Sequence, residues 1–600
     1  MKIIKGDVIV IGAGGAGLRS ALSAYEKNPN LKIILLAKKP VGKGGVTANA
    51  FSDRMAFHAT LSYTLPIQNN YIYHAMDIYK IGGEVSDYNL AEILAKNSEE
   101  AINYLISIGV PFVKTQDGKV DQFLTDGSEY PRACYVGPNT AIDIAKALAK
   151  KVRETNIETY ENVMVYDLIV KENRVIGAKA IDMSTQEKII IKGKAFILAT
   201  GGAGAIYRQN VFTTEMTGDG YAVSLRAGAQ MVNMEFMQIG ICHPQILFAE
   251  SGSMFRALPK IVYEDGREFL LDYLTEEDKA NLCVLEFKKG AHWPVSYESP
   301  TKVIDLAVYY HIKQGHKVYM NYMENPSYLS YESIPEEILR WSEKIGKEIF
   351  KDTTTPYERL KLINPSIIEW LKNYNIDLSK ELLPIQNALQ HFQGGVKIRE
   401  DARTSLEGLY AAGEVAGGQH GANRPGGNSL LDTQVFGKIA GESAVYYASK
   451  VDFVDFNLNE VEDRISQRGI PSKLVREKIR DIVSEYGFLV RMEEDVKKGI
   501  SLIKEIKKDG ISLDENGLSY YYETLNMLDV AELILNAILI RDESRGPHLR
   551  FKNFNPPVME FLPKRPEWNK YIIFYRKDGE LKYEIKEPIR PNFKPEGEEK

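Results

Sequence analysis

Val8-Ile9-Val10-Ile11 is an unbroken apolar run that stops at Gly12. Such a run has no polar face, so it predicts a strand buried on both sides of a parallel sheet. Apolar spacing from Ala16 to about Lys27 predicts a helix, and Lys32-Ile33-Ile34-Leu35-Leu36 predicts a second buried strand. Strand, glycine turn, helix and strand within about thirty residues make a βαβ unit. Helical periodicity recurs over about 91–109 and 140–152. Between Val163 and Leu198, β-rich runs alternate with charged turns, and the last run ends at Ala199-Thr200-Gly201-Gly202.

The pattern changes at about Ile241. From there to Leu383, Tyr, Lys and Glu are scattered and glycine turns are few, as in an inserted second domain. Glycine-rich sequence returns at Gly394-Gly395 and persists to Gly441. From about Asn457 to Leu539 the chain is charged and glycine-poor. Ile479, Ile482, Val483 and Tyr486 have helical spacing, as do Met527, Val530, Ala531 and Ile534, so this stretch predicts a helical bundle. After Arg545 proline and lysine dominate. This reads as a tail over 551–600, frayed from Lys594 to Lys600.

Composition narrows the function classes. The 600 residues carry a net charge of −6, which leaves no basic footprint for nucleic acid or anionic lipid. No run reaches the ~18 apolar residues of a spanning helix, so no direct membrane insertion is expected. No secretory signal is visible. The three cysteines, Cys134, Cys242 and Cys283, are far apart. They suit a reducing, cytoplasmic setting and are too few to hold an iron–sulfur cluster alone. No metal site is expected.

Gly12-Ala13-Gly14-Gly15-Ala16-Gly17 fits G-x-G-x-x-G between strand and helix. The first glycine permits the tight turn, the second lets backbone amides approach a pyrophosphate, and the third allows close helix–strand packing. The phosphates then meet the positive end of the helix. An acid about twenty positions on usually binds the ribose, but this region reads Leu36-Ala37-Lys38-Lys39. Another group must take the ribose, and Lys38 is a candidate for a phosphate. Further small-residue turns occur at Gly42-Lys43-Gly44-Gly45-Val46-Thr47, at Ala199 to Gly204, and at Gly408 to Glu414. An NAD domain needs one strand-to-glycine turn. Three of them, spread along the chain, suit one extended cofactor, FAD.

The order of these segments resembles the fumarate reductase, succinate dehydrogenase and L-aspartate oxidase flavoproteins, and more distantly adenylylsulfate reductase. Further matches are Thr217-Gly218-Asp219-Gly220, Met234-Glu235-Phe236-Met237-Gln238, His391-Phe392-Gln393-Gly394-Gly395 and Glu543-Ser544-Arg545-Gly546-Pro547-His548. The longest runs from Gly413-Glu414 through His420-Gly421-Ala422-Asn423-Arg424-Pro425-Gly426-Gly427-Asn428-Ser429-Leu430-Leu431-Asp432. The resemblance implies an α/β fold. A Rossmann-like FAD-binding domain in two segments (1–240 and 386–450) would enclose an α+β capping domain (241–385), followed by a helical domain (451–550).

It also implies roles. Gly12, Gly14, Gly15, Ala16 and Gly17 would hold the pyrophosphate, with Lys38, Gly44, Gly45 and Thr47 along the cofactor. Ala199, Thr200, Gly201 and Gly202 form the second turn. Asp219 and Glu414 look like FAD-contacting acids, with Glu414 a substitute for the missing ribose acid. Asn428, Ser429 and Leu430 would lie by the flavin ring. Many relatives attach FAD covalently through a histidine near Gly44 to Thr47. No histidine occurs between Met1 and Phe57, so non-covalent FAD is expected.

An acid-metabolising flavoenzyme needs cations that clamp carboxylates and a proton donor that complements hydride transfer at N5. His391 and Arg424 match family positions that bind substrate. Three features depart. The family follows the Glu-Phe-x-Gln run with His-Pro-Thr-Gly, whereas here Gln238-Ile239-Gly240-Ile241-Cys242-His243-Pro244-Gln245 stands, so His243 is either that histidine displaced by an insertion or a coincidence. The Thr-Glu-Gly that normally follows has no clear counterpart. The proton-shuttling arginine of the family is absent from Ser299-Pro300-Thr301-Lys302-Val303-Ile304-Asp305, where Lys302 is either a substitute or an ordinary surface lysine. The expected activity is hydride transfer between FAD and a small anionic substrate, nearest to fumarate or succinate. The expected partner is a separate iron–sulfur subunit, which would also carry the chain to the inner face of a membrane. An L-aspartate-oxidase-like enzyme, an adenylylsulfate-reductase-like flavoprotein and a structural flavoprotein without turnover remain as alternatives.

Overall fold

The computed structural model describes residues 2–124, 128, 130–350, 354–457 and 465–592. The first apolar run becomes β1 (Lys2–Ile11), followed by α1 (Gly15–Lys27) and β2 (Ile33–Ala37). β1 and β2 pair in parallel, Val8 opposite Ile33 through Ile11 opposite Leu36. Next come α2 (Thr140–Arg153), β3 (Glu158–Glu161), β4 (Val163–Lys171), β5 (Arg174–Asp182) and β6 (Lys188–Leu198). They build one sheet in the order β3-β2-β1-β6-β5-β4. β4, β5 and β6 form an antiparallel meander, whereas β6 lies parallel to β1. β1, β2 and β6 all end at the same edge, where the glycine turns gather, as parallel open sheets require of a ligand crevice.

The middle of the chain has its own core. β7 (Met231–Val232) and β8 (Met237–Cys242) precede α3 (Lys302–Lys313) and β9 (Leu383–Phe392). Ile241, Phe248, Ile304, Met320, Trp370 and Leu383 belong to a hydrophobic cluster separate from that of the first sheet. β9 joins the two regions. Its start pairs with Val318–Met320, and its end pairs with β8, setting Gln238 opposite His391 and Met237 opposite Phe392.

The chain then returns to the first sheet as β10 (Leu409–Ala411), parallel to β6. α4 (Asn428–Ala448) packs along α1, where Gly437 and Gly441 let the two helix backbones approach. α5 (Ser472–Tyr486), α6 (Glu493–Asp509) and α7 (Gly517–Ile540) form the expected helical group. Part of the stretch that was to open it, 458–464, lies outside the described residues.

The tail expectation needs correction. Residues 571–586 fold as β11 (Tyr571–Lys577) and β12 (Glu580–Lys586). β11 pairs with β7, and Ile572, Ile573 and Phe574 are buried. Only three residues of β11 in succession are fully apolar, so composition obscured a strand whose partner lies more than three hundred residues away. The expected fraying at 594–600 lies outside the described residues.

Candidate active site

A cavity of about 790 Å³ follows the carboxyl ends of β1, β2, β6 and β10. At its floor the three motif glycines serve three different ends. Gly12 has φ +108°, and an added Cβ would stand 2.2 Å from the Ala199 carbonyl oxygen. At Gly17 a Cβ would come within 1.8 Å of the Gly12 oxygen, so this glycine locks α1 onto β1 and does not line the cavity. At Gly14 a Cβ would meet nothing within 4 Å. That open space faces the start of α1, whose N-cap has no side-chain hydrogen bond and whose first turn carries no acid. A helix start with no N-cap side chain, and with room in front of it, fits a pyrophosphate. Thr47 Oγ1 accepts from the Gly15 N–H at 3.3 Å and closes the loop from the other side. Ala16, Gly44 and Gly45 complete this wall.

The structure gives Lys38 a different role from phosphate binding. Its Nζ lies 2.9 Å from Asp219 Oδ2 and also pairs with Glu523 of α7. Burial alone would lower its pKa, but the two carboxylates outweigh that and hold the ammonium charged. Asn526 Nδ2 donates to the other Asp219 oxygen at 2.7 Å. Asp219 is therefore the acid at the end of β2. Glu414 lines the cavity as well, and its Oε1 accepts from the Phe392 N–H at 2.8 Å at the end of β9. A Cβ on Gly202 would come within 2.5 Å of the same oxygen, so Gly202 supports Glu414 rather than lining the cavity. Burial pushes Glu414 up to about 8, opposed by the Phe392 amide and Arg424. Ala199, Thr200 and Gly201 do line the cavity, as do Ser429 and Leu430. Asn428 is buried behind them, with its Oδ1 2.9 Å from His58 Nδ1 and 3.1 Å from His74 Nε2.

His391 and Arg424 meet at the far end of the same cavity, 4% and 7% exposed. Gln238, beside His391 on the sheet, donates to Asn423 Oδ1 at 2.7 Å and to the Arg424 carbonyl at 3.3 Å. It thereby fixes the loop that carries the arginine. Burial, with Arg424 and His420 adding to it, holds His391 well below the usual histidine range. Neither of its ring nitrogens has a hydrogen-bond partner among the described residues.

Two expected residues are not part of this constellation. His243 does not line the cavity. Its Nδ1 accepts from the amides of Gln245 and Ile246 at 3.1 and 3.3 Å, so it caps a turn, and burial takes its pKa down to about 4. Lys302 opens α3, and its Nζ donates to the Ser299 carbonyl at 3.1 Å beside the Tyr297 and Phe561 rings. Further cations that line the cavity were missed by the sequence reading, among them Arg256 of the capping region and Arg54 of the first segment. Arg256 ends the short helix Ser253–Arg256, with its guanidinium 5.4 Å from the Trp341 ring. Asp53 holds that helix by accepting from the Ser253 N–H and hydroxyl, both at 2.7 Å. No local motif marks either arginine, because they reach the cavity from separate segments.

The FAD binding domain family matches residues 7–430, and the fumarate reductase flavoprotein C-terminal family matches 476–595. An uncharacterized FAD-dependent oxidoreductase of Methanocaldococcus jannaschii is 32% identical over 95% of this chain and 96% of its own. A fumarate reductase (CoM/CoB) chain of Methanothermobacter marburgensis, one subunit of that enzyme, is 30% identical over 95% of this chain and 97% of its own. The Escherichia coli quinol fumarate reductase, 23% identical, superimposes with a TM-score of 0.76 over 99% of this chain and 98% of that one. Adenylylsulfate reductase of Archaeoglobus fulgidus, 19% identical, gives 0.69 over 98% and 96%. The glycine cradle, the buried cations and these matches together place the chain in the fumarate reductase and succinate dehydrogenase flavoprotein family, as an FAD-dependent oxidoreductase.

Proposed function

We propose that this chain interconverts a small dicarboxylate and its unsaturated form, with fumarate and succinate as the nearest pair. The observation that carries the reading is that His391 and Arg424 share one cavity with the cofactor cradle, and that Arg256 and Arg54 face it from other segments. FAD, held by Gly12, Gly14 and Gly15, by Ala199 to Gly201 and by Ser429 and Leu430, would supply the two-electron chemistry of the interconversion. Arg424 clamps one carboxylate with its planar fork. His391 meets the same anion in its protonated form, because a bound negative charge offsets the burial that otherwise keeps the ring neutral. Arg256 serves the other carboxylate, and Trp293 and Trp341 exclude water from the charges.

Non-covalent FAD fits the same picture. The first histidine of the chain, His58, is turned to Asn428 in the interior. Relatives that work as one subunit of a larger enzyme support a partner protein, and an iron–sulfur subunit is the partner this chain needs. The test is reoxidation of the reduced flavin against a panel of fumarate, other dicarboxylates, aspartate-derived acids and sulfur oxyanions. Fumarate is expected to restore the oxidised spectrum fastest. Faster reaction with a sulfur oxyanion, or none with any dicarboxylate, would overturn the proposal.

A further inference from the structure

On β8, Gly240 follows Gln238 by two residues, and Gln238 is the residue opposite His391. The strand carries no side chain at position 240, and Trp293 fills that space. A Cβ on Gly240 would come within 2.6 Å of the indole, so a side chain there and Trp293 in its present place exclude one another. Trp293 is 3% exposed and lines the cavity. Its Nε1 donates to the Ile241 carbonyl at 2.8 Å, and the Val295 N–H donates to the Ile239 carbonyl at 2.8 Å. Both bonds lay the segment along β8.

A buried charge pair holds the same segment. Lys289 Nζ lies 2.6 Å from Asp305 Oδ2, with both side chains fully buried, and it also donates to the Trp293 carbonyl. Asp305 belongs to α3, and its carbonyl accepts from Asn387 Nδ2 of β9 at 3.2 Å. An ion pair sealed from water is costly unless its remaining bonds are made. Here the ammonium makes them to the backbone that carries the tryptophan. Val211, Leu247 and Ala249 pack in the same apolar cluster and also line the cavity. Trp293 is thus the large member of a fixed apolar wall, two residues along β8 from the Gln238–His391 pair.

We propose that Trp293 is a specificity-determining residue, which limits the cavity to an unbranched dicarboxylate by occupying the space over Gly240. The inference rests on the reading that Arg424 and His391 clamp a dicarboxylate, and it adds the size of the acid.

The test is calorimetric titration of the oxidised holoprotein with malonate and with phenylmalonate. Neither has the CH–CH bond that desaturation needs, so binding is read without turnover. The parent is expected to bind malonate at least about tenfold more tightly than phenylmalonate. Trp293→Ala should lower that ratio by about tenfold or more, because the phenyl group gains the space of the indole. Trp293→Phe keeps a ring over Gly240 and should lower the ratio less. It takes the place of the alanine variant if that protein loses FAD or its melting temperature collapses. A ratio that stays as in the parent, or a parent that binds both acids equally, overturns the proposal. Arg424→Gln tests the reading beneath it and should weaken malonate. If malonate does not bind the parent, or binds Arg424→Gln as well, the dicarboxylate clamp fails and the proposal falls with it. If Arg424→Gln weakens malonate while the ratio ignores Trp293, the clamp stands and only the role of Trp293 is lost.

Discussion

At the residue scale, the glycine motif shows why some positions are legible in a sequence and others are not. Gly12, Gly14 and Gly17 answer to local backbone geometry, so their spacing alone announces them. The structure adds that they fail differently. Gly17→Ala is expected to destabilise the protein itself, because the new methyl strikes the Gly12 carbonyl. Gly14→Val is expected to leave the melting temperature of the FAD-free protein nearly unchanged, since the space is open. It should weaken FAD binding by ~3 kcal/mol or more, about 100-fold. Equal flavin content in that variant would remove the motif from the cofactor site. Side chains are less legible, because their direction is set by distant packing. His243 and Lys302 had suggestive neighbours in sequence, yet one caps a turn and the other lies on its own helix start. Arg424→Lys should keep FAD but lower kcat/KM by ~2–4 kcal/mol, through loss of the two-pronged hydrogen bond. Lys302→Ala should leave kcat/KM within about twofold of the parent, the range of an uninvolved surface change. Steady-state kinetics on the pair separates a residue that the structure keeps at the cavity from one that it leaves outside.

At the element scale, the βαβ unit and the helical group were readable because each carries its own periodicity. Val8 to Ile11 has no polar face, and Ile479, Ile482 and Val483 make a stripe that is buried as expected. The terminal hairpin was not readable. Proline and lysine dominate the region, and β12 is mostly exposed, so its hydrophobic pattern is diluted. What makes β11 a strand is its partner β7, with Met231 opposite Phe574 and Val232 opposite Ile573. Deleting the Phe574 ring leaves a hole between that strand pair and the core. Phe574→Ala is expected to lower stability by ~3–5 kcal/mol, read by thermal melting of the FAD-free protein. A change below ~1 kcal/mol would return residues 571–586 to the status of an appendage.

At the scale of the whole molecule, the helical group is tied to the cofactor region. Glu523 and Asn526 of α7 hold Lys38 and Asp219 at one end of the cavity. Arg541, Glu543 and Arg545, all fully buried, form a chain of ion pairs with Glu235, next to β8. Arg545 also bonds to the Gly83 carbonyl, so the same chain braces the segment under Ala422. A flavin at this cavity turns over only if something delivers electrons to it or takes them away. A flavin accepts two electrons together, whereas quinones and iron centres exchange them singly. Three separated cysteines, of which Cys134 and Cys242 are buried, cannot hold a cluster, and no group of four thiolates exists in the chain. Among the described residues no helix is long and apolar enough to cross a membrane. On the partnered reading proposed above, the relay comes from another protein. A tagged chain drawn gently from its source is expected to bring down a cysteine-rich protein with the visible absorbance of iron–sulfur clusters. Adding that protein back should raise turnover with an artificial one-electron donor. If the chain instead elutes alone, and oxygen reoxidises its flavin as fast as it turns over, no relay is needed. The oxidase alternative then replaces the partnered one.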